Sequence, residues 1–161
     1  MQKPSFKWVL IFNIVLDLPM AIVMSILATL LNKAPLVFFP NLLSNIAIGF
    51  ILAFLINVIL PIPLISAGFA GLFRIKPHTI AENLVGGLPV CLIFTCGIGL
   101  PLSAFNLFVA SKNVPGVEFN FPAVWGSFMA TFIPLYIILY IVAFIMTPIA
   151  ATCATNACRK S

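Results

Sequence analysis

The sequence predicts an all-α, polytopic membrane protein of four transmembrane helices arranged as two similar helical hairpins. Three observations predict it. Hydrophobic residues make up 63% of the chain and charged residues only 7%, where a soluble domain is about one quarter charged. So few charges cannot cover a globule in water, and the apolar surface must face lipid. The apolar residues also fall into four continuous runs, each longer than the roughly 20 residues a helix needs to cross the hydrocarbon core. Continuous rather than alternating hydrophobicity reads as helix, not barrel strand. Finally, the cations behind the net charge of +5 sit in ones and twos at the ends of these runs. That is a membrane-topology pattern and not a nucleic-acid surface. Lys3, Lys7, Arg74, Lys76, Arg159 and Lys160 mark one side, against Lys33 and Lys112 on the other. Both termini and the middle loop are therefore expected on the cytoplasmic side. With no long polar connection, residues 1–161 read as a single membrane domain, 6–73 forming the first hairpin and 79–158 the second.

The first run extends from about Phe6 to Leu31, with Trp8 at its start, where an indole suits the membrane interface. Asn13, Asp17 and Pro19 interrupt it, which argues for a membrane anchor over a cleaved leader. Asn13 and Asp17 are four apart and share a helix face. Ala21, Ser25 and Thr29 continue a small-residue stripe that lets another helix approach closely. A short outer loop, Asn32 to Pro40, leads to a second run from Asn41 toward Phe73. At 1.5 Å per residue that run is about 50 Å long, too long for one straight span, so Pro61 and Pro63 are expected to kink or end it. Leu64 to Phe73 would then be an extension or an interfacial piece.

The middle loop holds Arg74, Lys76, Pro77 and His78, and Thr79-Ile80-Ala81-Glu82 reads as a capping box opening the third helix. That run, about Ile80 to Phe108, carries Gly86, Gly87, Pro89, Gly97, Gly99 and Pro101 and is expected to be the least regular of the four. Pro115-Gly116 marks a turn in the second outer loop. The fourth run, about Pro122 to Ala154, begins near Trp125, has Tyr136 and Tyr140 on one face, and contains Pro134 and Pro148.

Asn13-Ile-Val-Leu-Asp17-Leu-Pro19 is nearly repeated seventy positions on as Asn83-Leu-Val-Gly-Gly87-Leu-Pro89. Both read Asn-x-Val-x-x-Leu-Pro, with glycine in the second copy where the first has Asp17. Phe39-Pro40 opens run two as Phe121-Pro122 opens run four. The pattern reads as an internal duplication, whose halves would be parallel repeats about an axis along the membrane normal. Met20 to Ser25, Leu31-Asn32, Phe39-Pro40 and a second helix ending in prolines resemble a bacterial family of two-helix membrane proteins of unknown function. The second half, with Asn106, Phe121-Pro122 and Trp125, resembles it less closely. The resemblance implies tandem copies in a bacterial inner membrane and implies no activity.

Asp17 is the leading candidate for chemistry. It is the only acid deep in an apolar run, and a charged carboxylate there costs about 2.5–3.5 kcal/mol on insertion scales. It must face the bundle interior, find partners or take up a proton. Asn13 and Asn57 are the candidate donors at matching depth, and no cation lies there to form a permanent ion pair. Asp17, Asn13 and Asn57 are therefore the proposed proton- or ligand-binding residues, set against a structural reading in which a protonated Asp17 bonds neighbouring amides and glues helices. Cys91 and Cys96, and Cys153 and Cys158, are five apart, a poor metal-ligand spacing on a helix. No phosphate loop, zinc-binding helix or nucleophile elbow is present, so no enzymatic activity and no cofactor are expected. Two functions remain: a small proton- or cation-coupled transporter or channel-like bundle, or a non-catalytic membrane scaffold or partner subunit. The expected partners are the lipid bilayer and a second copy or another membrane protein, with no nucleic acid.

Overall fold

A computed structural model describes residues 5–31, 41–76 and 79–159, and every regular element among them is a helix. They are α1 (Phe6–Leu31), α2 (Leu43–Ile59), α3 (Ile62–Leu72), α4 (Ile80–Asn113) and α5 (Phe121–Arg159). The first outer loop expected at Asn32 to Pro40, with its Lys33, lies outside the described residues, as do Pro77 and His78.

Helices α1, α4 and α5 are each long and apolar enough to cross a membrane, whereas α2 and α3 reach that length only together and meet at 69°. The chain thus has three candidate spans, or four if the bent pair counts as one. The break lies where Pro61 and Pro63 remove two backbone donors from one turn. Leu60, forced away from helical geometry by the following proline, is extended at φ −98° and ψ 137°. Local bonds satisfy the corner: the Leu60 N–H donates to the Ile56 carbonyl and the Ile62 N–H to the Leu60 carbonyl.

The expectation that the third run would be the least regular is wrong. α4 is one unbroken helix of 34 residues through Pro89 and Pro101. Single prolines in a membrane helix are tolerated when neighbours support the freed backbone. Two tyrosines of α5 also tie down the α4 backbone nearby: Tyr140 Oη donates to the Leu84 carbonyl at 2.7 Å and Tyr136 Oη to the Leu88 carbonyl at 3.1 Å. Both acceptors lie in the turn before Pro89, on either side of the Val85 carbonyl that the proline leaves without its helical donor. The α4 glycines serve contact instead. A Cβ at Gly86 would lie 2.7 Å from the backbone oxygen of Ser66, so α3 rests directly on α4. α4 opens as expected, the Thr79 hydroxyl accepting from the Glu82 N–H at 3.2 Å. The Pro115-Gly116 turn places Gly116 at φ 82°, a left-handed conformation glycine adopts without penalty.

α1 packs between α2 and α5, and α4 packs against α2, α3 and α5. Met20, Met24, Phe94, Ile98, Leu102, Leu135 and Leu139 form the core. The small-residue stripe is spent inside the chain. Ala21, Ser25 and Thr29 are fully buried, and a Cβ at Gly49 of α2 would sit 3.6 Å from both Ala21 Cβ and Ser25 Oγ. The outer surface is apolar instead, with Ile133, Ile137, Ile141 and Ile145 of α5 and Ile51, Leu55 and Val58 of α2 exposed. Aliphatic side chains outside and amides, hydroxyls and a carboxyl inside suit a lipid solvent. The chain is compatible with an integral membrane protein.

Candidate functional site

Asp17 lies near the middle of α1, two residues before Pro19, and is fully buried. Its partner comes from α2, forty positions on: Asn57 Nδ2 donates to both carboxylate oxygens, at 2.8 and 2.9 Å. Asn57 sits in the last turn of α2, just before the proline corner, so the corner fixes the depth at which its amide meets α1. Among the described residues no cation pairs with Asp17. The carboxyl is held by a neutral amide, which can adapt to either protonation state of its partner.

Asn13 is also buried, one turn nearer the start of α1, but among the described residues it makes no hydrogen bond to Asp17. It faces a cavity of about 410 Å³ that also exposes Asn57. This cavity lies at the end of the bundle that carries Lys7, Arg74 and Lys76, where all five helices contribute to its wall. Glu82, Ser66 and Thr147 add polar groups, while Trp8, Phe12, Phe94, Tyr140 and Phe144 make the wall aromatic. Its frame is fixed across the chain. Trp8 stacks on Phe12 with ring centroids 5.0 Å apart, and its indole N–H donates to Thr155 Oγ1 of α5 at 3.2 Å. Asp17 is not part of the cavity wall. The three sequence-chosen residues are thus brought together unequally: Asn57 touches both carboxyl and cavity, Asn13 only the cavity, and Asp17 stands behind Asn57.

A second polar cluster closes the opposite end of the bundle. Asn45 of α2 and Asn106 of α4 pair amide to amide, Asn45 Nδ2 donating to Asn106 Oδ1 at 2.8 Å and Asn106 Nδ2 returning to Asn45 Oδ1 at 3.3 Å. Asn45 Nδ2 also reaches Thr29 Oγ1 of α1 at 3.0 Å, and the Thr29 hydroxyl donates to the Ser25 carbonyl at 2.7 Å. All three side chains are fully buried. Sequence reading did not assign this cluster. Two amides and a hydroxyl on three different runs give no pairwise signal, and only the inconvenience of an amide in an apolar run marks Asn45 and Asn106. A double-mutant cycle on Asn45→Ala and Asn106→Ala is expected to give a coupling of about 0.6–1.7 kcal/mol, as for other interhelical hydrogen bonds in bilayers. The readout is unfolding in mixed micelles, and strict additivity would show that the pair contributes nothing of its own.

Between the two polar layers, the hydroxyls of Ser25 and Thr95 are buried with no hydrogen-bond partner, as is that of Ser103. No disulfide joins any of the four cysteines among the described residues; Cys91 is buried and Cys96 exposed. Among the described residues no group of three or more histidine, cysteine or acidic side chains is placed to hold a metal ion. In comparisons with family models, curated proteins and solved structures, nothing matches this chain.

Proposed function

We propose that this integral membrane protein is a small proton- or cation-coupled transporter or channel-like bundle in which Asp17 is the titrating group. α1, the bent α2–α3 pair, α4 and α5 act as four spans with both termini cytoplasmic. The observation that carries the reading is the pairing of a fully buried carboxyl with a single neutral amide that also forms part of a cavity wall. A structural ion pair would supply a countercharge; here none is present among the described residues. Asn57 would be the movable piece: displacing its amide opens Asp17 to the cavity. The Asn45–Asn106–Thr29 cluster would close the far side.

The proposed duplication draws support from burial. Ala21, Met24, Ser25, Ala28 and Thr29 are buried on α1, and Cys91, Phe94, Thr95, Ile98 and Gly99, each seventy positions later, are buried on α4. At that offset Asp17 corresponds to Gly87. Aligned on Phe39-Pro40 and Phe121-Pro122, Asn57 corresponds to the fully buried Leu139. The polar pair of one half is apolar in the other, as expected if the pair exists for a function and not for the fold.

The test is acidification of proteoliposomes loaded with a pH-sensitive dye, under an imposed membrane potential. Wild-type protein is expected to acidify the lumen, and Asp17→Asn, which keeps the shape and the bond to position 57, is expected to fall to the rate of empty liposomes. Equal rates for the two proteins, or a wild-type rate no higher than that of empty liposomes, would remove the reading. The scaffold alternative is favoured by one observation, the full burial of Asp17 outside the cavity wall. It predicts that Asp17→Asn alters stability only and that the protein purifies with a membrane partner.

A further inference from the structure

We propose that the five-helix cavity binds a small ring-bearing molecule through a carboxamide-like group, and that Asn13 is the residue that reads this group. The use of such a molecule as cargo rests on the transport reading. Its binding stands on separate observations.

The first is an unpartnered amide. Asn13 is only 7% exposed and forms part of the cavity wall, yet among the described residues nothing hydrogen-bonds its side chain. Buried amides are nearly always bonded, and the others of this bundle are. Asn106 and Asn113 each donate to the carbonyl four residues back, those of Leu102 and Val109. Asn45 and Asn106 also satisfy each other, amide to amide. Asn13 has neither kind of partner within the chain. An amide carries an acceptor oxygen and a donor nitrogen side by side, so the group that best answers it carries the same two in reverse. A carboxamide does so, as Asn106 does for Asn45.

The second is the polarity beside it. Asn57 lines the same cavity and bonds Asp17, which is one turn of α1 beyond Asn13. Its Nδ2 is committed to both carboxyl oxygens, which leaves its carbonyl oxygen to accept a further N–H. A primary carboxamide has a second N–H to offer. The asparagines that open the two occurrences of Asn-x-Val-x-x-Leu-Pro, Asn13 and Asn83, both line the cavity, so the motif brings amides from α1 and α4 to one space. Size and wall set the rest of the ligand. A volume of about 410 Å³ lies within the range of small-molecule sites, about 300–1,000 Å³. Trp8, Phe12 and Tyr140 present ring surface to it, which suits a ring-bearing body. Tyr140 is anchored by its bond to the Leu84 carbonyl and Trp8 by its bond to Thr155. Both rings are held in place before a ligand arrives, which lowers the ordering cost of binding.

The experiment follows fluorine NMR line widths with full-length protein in nanodiscs, empty nanodiscs serving as the blank. Para-fluorobenzamide is compared with para-fluoroacetophenone, in which a methyl group replaces the NH2 at nearly the same size. Saturable broadening above the blank is expected with the amide, and binding about fivefold weaker with the ketone. Asn13→Leu is expected to erase that preference, weakening the amide about fivefold and leaving the ketone unchanged. No bond within the chain is lost with it, so its thermal midpoint should equal or exceed that of wild type. Ala143→Leu, on α5, puts extra volume into the same cavity and is expected to weaken both compounds. Absence of a saturable response, equal affinity for amide and ketone, a preserved preference in Asn13→Leu, or undiminished binding in Ala143→Leu would overturn the proposal. So would an Asn13→Leu protein that melts several degrees below wild type or fails to fold, because its amide would then be a structural one. The two readings can fail separately. Amide binding without proton flux supports the site and removes the transport reading, while flux without amide binding does the reverse.

Discussion

Asn57→Leu is expected to cost the protein about 3 kcal/mol of stability, because it strands a buried carboxyl with no remaining donor. Asp17 is fully enclosed and Asn57 Nδ2 supplies both of its side-chain hydrogen bonds. A leucine fits the lipid-like surroundings of α2 and removes no helix propensity, so a large effect can come only from the carboxyl left behind. The loss should appear as unfolding at a lower denaturing-detergent fraction. The decisive measurement is the double variant Asp17→Ala with Asn57→Leu. It removes both polar partners and copies the small-plus-leucine combination that Gly87 and Leu139 would provide under the proposed duplication. It is expected to be more stable than Asn57→Leu alone. A double variant as unstable as the two single effects added together would mean that the two side chains do not depend on each other.

Gly86→Val carries the second large expected effect, also about 3 kcal/mol, the upper end of what overpacking costs. The obstacle is backbone. A Cβ at position 86 would meet the Ser66 carbonyl oxygen at 2.7 Å and its carbon at 3.1 Å, besides the Ser66 hydroxyl. A side-chain end can rotate away, whereas α3 has to move as a body. Even Gly86→Ala should therefore lower the thermal midpoint in detergent by several degrees. Gly49→Ala is the control, since its Cβ would meet Ala21 and Ser25 at an ordinary 3.6 Å, and it should melt within a degree or two of wild type. A Gly86→Ala protein that melts like the control would show that α3 does not rest on α4 as described.

Much of this frame is legible in the residues. The limits of α1, the break at Pro61, the Thr79 cap and the Pro115-Gly116 turn each follow from local chemistry, which acts over a few residues and does not wait for packing. The meeting of Asp17 with Asn57 is legible too, because counting turns inward from the ends of two adjacent runs sets their depths. Three things are not. α4 continues unbroken through Pro89 and Pro101, and nothing near either proline in the sequence announces it. The Asn45–Asn106–Thr29 cluster depends on three helix faces turning toward one point. The cavity is the least legible, since nothing in the sequence sets Phe12 or Phe144 apart from the other rings, and only the meeting of five helices at one end brings them to a common space. The small-residue stripe of α1 also changes meaning: read alone it offers a surface to a partner, and in the folded chain α2 already occupies it.

The bend between α2 and α3 has a consequence for the surroundings of the protein. α2, with 17 residues, measures about 25 Å, a few ångströms less than an average hydrocarbon layer. In the proposed four-span arrangement with α2 upright, the 69° corner would lay α3 nearly level, like a float riding just under the headgroups. Thicker membranes would submerge it and thinner ones would lift it toward water, each at a modest cost per ångström. Because Asn57 is fastened at the root of that float, acyl-chain length would be felt at the carboxyl of α1, and reconstitution into short- and long-tailed lipids should read as two different grips on the same side chain.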